Sequence, residues 1–149
     1  MTTLLLCLLL QTPPTPETDE AAKKDIEAMK GNWKITKLEA GGQPSLASFT
    51  EKLTFIITPE TLTLTDGKHD EATKYKLNTT TKPRQIDILA ERKQADGSKK
   101  EQAAPGIYEL NGDVLKICFV KDGARPTAFA TKANEPAVLM ELKREAKKQ

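Results

Sequence analysis

His69 is the only histidine of the chain, and Asp66, Asp70 and Glu71 stand beside it. One imidazole and three carboxylates are ligands of the right kind for a divalent metal. They lie, however, around Asp66-Gly67, a turn signal, and turns collect such residues for their own hydrogen bonds. No His-x-His and no spaced cysteine pair joins them, so the pattern does not specify zinc, and no metal is expected. Cysteine chemistry is limited to Cys7 and Cys118. Cys7 falls in an apolar leader, which argues against a bridge once that leader is removed. Cys118 sits in a strand-like run, where packing in the core or against the outer wall suits a thiol better than attack on a substrate. A serine hydrolase would have to recruit His69. Ser45, Ser48 and Ser98 all fall in loop-like segments, without the glycines and strand-to-helix turn of a nucleophile elbow. The sequence carries no phosphate loop and no dinucleotide fingerprint. Inward positions are nearly all apolar, which leaves no paired carboxylates on a core face. The expected protein is non-enzymatic and without a cofactor.

The elements that would position these residues are strands. From Trp33 onward the apolar period is two. Leu53, Phe55 and Ile57 alternate with Lys52, Thr54 and Thr58; Leu62 and Leu64 alternate with threonines; Tyr75 and Leu77 alternate with lysines. Ile86 and Ile88, then Tyr108 and Leu110, then Leu115, Ile117 and Phe119, then Val138, Met140 and Leu142 repeat the pattern. One apolar and one wet face per strand is the mark of an antiparallel sheet over a single core. Asn111-Gly112 is a strong hairpin signal, and Asp66-Gly67, Asp96-Gly97 and Asp122-Gly123 are further turns. Gly41-Gly42 and Pro44 close the first strand, and Ser45 to Thr50 suits a short helical turn. No helix-length segment interrupts the strands. A meander of about eight strands closes into a barrel or folds into a sandwich, and closure removes the exposed edges. Ahead of it, residues 19–30 read as a helix capped by Thr18 and stopped by Gly31, with Ala22, Ile26 and Met29 on one face.

A chain of 149 residues suffices for one core. Its 23 basic and 21 acidic residues are interspersed, which argues against a nucleic-acid partner. The basic tail, residues 146–149, reads as a solvated end. No stretch is long enough for a membrane span. Residues 1–18 divide into an apolar leader, Leu4 to Leu10, and a linker carrying Pro13, Pro14 and Pro16. The leader is similar to the core of a secretory signal but lacks a preceding basic residue and a small-x-small cleavage site. Export to the periplasm or envelope is expected if a start lies upstream; the alternative is a cytoplasmic protein with a greasy tip.

Gly31-Asn32-Trp33-Lys34-Ile35, the hairpin from Gly106 to Phe119, Arg125-Pro126-Thr127-Ala128-Phe129 and the close from Leu139 to Arg144 together carry a resemblance. They resemble a lipocalin-like domain family of unknown function, abundant in planctomycete bacteria, whose members typically follow a secretion signal. The resemblance covers about residues 29–145. It implies an all-β, lipocalin-like, antiparallel up-and-down barrel over residues 31–145 with a short N-terminal helix, and it implies no catalytic residues. Lipocalins pair the Gly-x-Trp tryptophan with an arginine near the end of the last strand. Counting by twos from Val138 places Arg144 on the core face, where it either lies over Trp33 and closes the barrel base or faces solvent as a tail residue. Phe55, Ile57, Leu64, Tyr75, Ile88, Tyr108, Ile117, Phe119 and Met140 are the inward positions that would line a lumen, with the hydroxyls of Tyr75 and Tyr108 as polar anchors. The lumen holds a small hydrophobic molecule, or it is filled by its own side chains. In the second case the domain is an interaction module for a protein or envelope partner.

Overall fold

The computed structural model describes residues 16–146, with side chains from Glu20 onward. The leader with Cys7, the Pro13-Pro14 part of the linker and the last three residues lie outside the described residues. Helix α1 runs Pro16–Met29 and is followed by β1 (Gly31–Ala40), the two-residue β2 (Gln43–Pro44) and a single helical turn, α2 (Ala47–Thr50). Then come β3 (Thr54–Ile57), β4 (Thr61–Thr65), β5 (Asp70–Asn78), β6 (Arg84–Lys93), β7 (Lys99–Asn111), β8 (Val114–Val120) and β9 (Ala137–Arg144). The helix begins ahead of Thr18, because a proline fits the first helical turn, where its missing N–H is no loss.

Each barrel strand pairs antiparallel with the next, and β1 pairs with β9, so β1 and β3 to β9 form a closed eight-stranded up-and-down barrel of lipocalin-like architecture. β2 folds back on the end of β1 through Glu39–Pro44 and Ala40–Gln43. The register keeps the apolar positions inside. Trp33, Phe55 and Leu64 lie opposite one another across β1, β3 and β4, and Tyr108, Ile117 and Met140 across β7, β8 and β9. Thr36 is an extra residue in β1 between the pairs Ile35–Leu142 and Lys37–Glu141. The bulge shifts parity by one, so Leu38 joins Trp33 and Ile35 against the core.

A second, smaller cluster lies outside the barrel. Ile107, Cys118 and Leu139 form one row across β7, β8 and β9 on the outer face, and all three are buried, with Phe129 packed against them. Phe129 belongs to the connection between β8 and β9, residues 121–136. Arg125 pins that connection to the wall: its guanidinium donates to the Gly106 carbonyl at 2.8 Å, the Ile86 carbonyl at 3.3 Å and Asp87 Oδ1 at 2.7 Å. Gly106 carries this close approach. A Cβ there would lie 2.8 Å from the Cys118 carbonyl oxygen and 2.9 Å from Phe119 Cβ.

Candidate functional site: a barrel closed at one end and hollow at the other

The end where β1 begins is sealed. Trp33 is fully buried, and its Nε1 donates to the Met29 carbonyl at 2.8 Å. Arg144 lies directly across from it in register, with its guanidinium 4.3 Å from the indole centroid. The same guanidinium donates to the Lys30 carbonyl at 2.7 Å, to the Ala28 carbonyl and to Asp113 Oδ1 at 3.1 Å. It therefore serves two ends at once. It covers the ring face, and it satisfies the last carbonyls of α1, where a cation also opposes the helix dipole. Gly31 makes the junction, at φ +130°, with the space a Cβ would need held by Arg144 Nη1 at 3.3 Å.

A second polar clasp fastens α1 to the barrel. Asp25 is buried on the helix face that carries Ile26 and Met29, and its Oδ2 accepts from Tyr108 Oη at 2.6 Å and from Arg84 Nη1 at 2.5 Å. The carboxylate raises the Arg84 pKa. Burial, then the bond to Asp25, pushes the Tyr108 pKa up as well. Asp25 and Arg84 are not among the residues singled out from sequence. The available signal is Asp25 itself: a carboxylate between Ala22 and Met29 on the apolar stripe requires a partner when that stripe is buried.

The other end is hollow. A cavity of about 380 Å³ is lined in its depth by Phe55, Leu62, Leu64, Ile88, Ala104, Phe119 and Met140. Glu71, Thr73, Ala90, Glu91, Arg92, Gln102 and Lys121 line it toward the mouth. Of the nine inward residues, Phe55, Leu64, Ile88, Phe119 and Met140 meet in this cup. Ile57, Tyr75, Tyr108 and Ile117 are buried in the core and do not line it. Neither tyrosine hydroxyl is offered to the lumen. Tyr75 Oη donates to the Thr58 carbonyl at 2.8 Å, Tyr108 Oη to Asp25, and burial pushes the Tyr75 pKa up to about 12.

The expectation that inward positions are nearly all apolar is corrected at the mouth. Glu71, Arg92, Gln102 and Lys121 follow the same alternation as Tyr75, Ile88, Ala104 and Phe119, and all line the cup. The apolar alternation does not mark them, because β5, β6 and β7 extend well beyond their apolar cores and Lys121 lies just past the end of β8. Carrying the period of two back from Tyr108 reaches Ala104 and Gln102. Three further hollows, of about 350, 410 and 300 Å³, lie on the outer wall around residues 121–136 and Pro83. The cup differs from them in being lined by five buried residues of the barrel core, Phe55, Leu62, Ile88, Ala104 and Met140.

His69 stands on an exposed turn. Its backbone N–H and that of Lys68 donate to Asp66 Oδ1, each at 2.8 Å, and those bonds lower the Asp66 pKa. Among the described residues, no group of three or more histidines, cysteines or carboxylates is arranged to hold a metal ion. Cys118 is buried on the outer row with its Sγ 3.8 Å from the Ala130 carbonyl, and burial pushes its thiol pKa up. Among the described residues no helix is long and apolar enough to cross a membrane. Comparison with family models, with curated proteins and with solved structures returned no match.

Proposed function

We propose that this protein is a non-enzymatic, lipocalin-like carrier that binds a small apolar molecule in the open half of its barrel. The observation that carries the reading is the cup: an apolar floor and walls, a charged and amide-bearing mouth, and a volume of about 380 Å³. Binding sites for small molecules are commonly concave, largely apolar and on the order of 300–1,000 Å³. The sealed end supports the same reading. Trp33, Arg144 and the Asp25 clasp hold one end rigid, so the other can remain unfilled without loss of the fold. The raised thiol pKa of Cys118 and the exposed position of His69 support a binding role over nucleophilic catalysis. Polar recognition belongs to Arg92, Gln102, Lys121 and Glu71 at the mouth rather than to the tyrosine hydroxyls. Export to the periplasm or envelope, in keeping with the family resemblance, is part of this proposal.

The test is native mass spectrometry of protein purified from its own cells, paired with displacement of a fluorescent fatty acid. A co-purifying mass and a displaceable probe are expected; absence of both overturns the reading. A second reading rests on Leu46 and Phe49, which are 76% and 58% exposed on and beside α2. Large apolar side chains in that position suit a protein or envelope partner, with the barrel as rigid support. Loss of that partner on Leu46→Ser/Phe49→Ser, with probe binding unchanged, would identify the second role.

A further inference from the structure

The barrel is closed in topology but not along its full height. The β5–β6 ladder runs from Asn78–Gln85 to Lys74–Leu89 and stops there. Both strands continue. Residues 70–73 of β5 remain paired to β4, and residues 90–93 of β6 remain paired to β7. Two hairpins therefore rise from the wall as separate leaves, and each turns an edge toward the other. The cup lies behind that slit. Glu71 and Thr73 from one leaf and Ala90, Glu91 and Arg92 from the other all line it. Glu91 alternates with the inward residues Ala90 and Arg92 and so belongs to the outer face. It reaches the cavity because the wall is open beside it.

Extending the existing register by four residues sets Thr73 opposite Ala90, Ala72 opposite Glu91, Glu71 opposite Arg92 and Asp70 opposite Lys93. The last two are pairs of opposite charge, one on the inner face and one on the outer. Cross-strand pairs of opposite charge favour a ladder, and like charges oppose one. In this structure neither pair is made. Arg92 Nη2 donates to the Lys121 carbonyl at 2.7 Å, and among the described residues Asp70, Glu71 and Lys93 have no ion-pair partner. Two complementary edges, already in strand conformation and in register, need only approach each other to pair. Unpaired strand edges carry backbone donors and acceptors that favour such pairing.

We propose that the slit between β5 and β6 is a gate, through which the ligand enters the cup and which zips shut by adding up to four residue pairs to the β5–β6 ladder. The closed state is locked by Glu71 against Arg92 and by Asp70 against Lys93. This inference rests on the cup as the ligand site. Arg92 is its latch: it leaves the Lys121 carbonyl to meet Glu71.

The test is the double variant Ala72→Cys/Glu91→Cys, oxidised with and without the fluorescent fatty acid. These positions lie opposite each other in the extended register, two pairs beyond Lys74–Leu89, so a bridge between them reports pairing beyond the existing ladder and leaves both charge pairs intact. Formation of a disulfide between the two substituted positions, read by intact mass, is expected, with release of trapped probe slowed until a reductant is added. Asp70→Lys, which places like charges across the slit on the outer face and away from the cup lining, is expected to speed probe release by about two- to five-fold, the scale of an exposed ion pair. Adding Lys93→Asp to that variant should restore the original rate. No bridge, or a bridged protein that exchanges probe at the unbridged rate, overturns the gate. A bridge formed in a protein that binds no probe leaves the zipper standing and overturns the ligand reading.

Discussion

Trp33 and Asp25 show how single side chains hold this barrel's base. Trp33→Ala removes a fully buried ring and the platform under Arg144. A loss of about 3–5 kcal/mol is expected, read as a lower midpoint in urea unfolding. Asp25→Ala leaves Tyr108 Oη and Arg84 without their shared acceptor and should cost about 1–3 kcal/mol by the same measurement. An unchanged midpoint in either variant contradicts the account of the sealed end. Tyr75 adds a pH dependence. Burial moves its pKa from 10.0 to about 12, so its neutral form is favoured in the fold. A group whose folded pKa is raised stabilises fully below its unfolded pKa and loses that contribution as pH rises through the folded value. Stability is therefore expected to fall between pH 10 and about 12, followed by tyrosinate absorbance and unfolding together. Tyr75→Phe should flatten part of that fall. Tyr108 shifts in the same direction and supplies the rest.

At the scale of elements, the connection across the outer wall is the informative piece. Residues 121–136 cover the row Ile107, Cys118 and Leu139, and Arg125 holds them to β6 and β7. Arg125→Ala should expose Cys118 and raise its rate of reaction with an aromatic disulfide at constant pH. A thiol as slow as in the parent would show that Phe129 alone keeps the cover in place. Gly106→Ala tests the same wall from within. The new methyl meets backbone at 2.8 Å, which no side-chain rotation relieves, and a loss of about 1–3 kcal/mol is expected in the urea midpoint. The connection also ties to the β1–β2 turn, since Thr131 Oγ1 donates to Glu39 Oε1 at 2.5 Å and accepts from the Gly42 N–H at 2.9 Å. The Thr131 bond lowers the Glu39 pKa, so this tie weakens only as Glu39 protonates in acid.

For the molecule as a whole, one half of the barrel is filled by its own side chains and the other half holds a cavity. The sealed half contains Trp33, Ile57, Tyr75, Tyr108, Leu115 and Ile117, all buried. The open half contains the cup. Filling the cup should therefore separate function from stability. Ala104→Phe points a ring into the apolar floor and is expected to abolish displacement of the fluorescent fatty acid at an unchanged or raised melting temperature. Binding that survives this substitution would place the ligand elsewhere on the molecule.

The alternation from Trp33 to Leu142 is enough to indicate a meander of about eight antiparallel strands and the inward face of their apolar stretches, because in a one-layer sheet over one core a period of two is a direct record of which side meets water. The same counting put Arg144 on the face of Trp33, since both ends of the chain's strand run were in phase with the core. Three features were decided only in the tertiary structure. Glu71, Arg92, Gln102 and Lys121 line the mouth, and charged residues at strand ends read as exterior until the barrel is closed around them. Cys118, expected to pack in the core or on the outer wall, is covered on the outer wall by residues 121–136, a loop with no periodicity of its own to announce that role. Asp25, Tyr108 and Arg84 share one clasp across segments distant in sequence, and nothing local to any of them specifies the other two. Whether a barrel is hollow depends on how far the side chains of facing strands reach across the gap, and that distance is set by closure and stagger, which no single strand encodes.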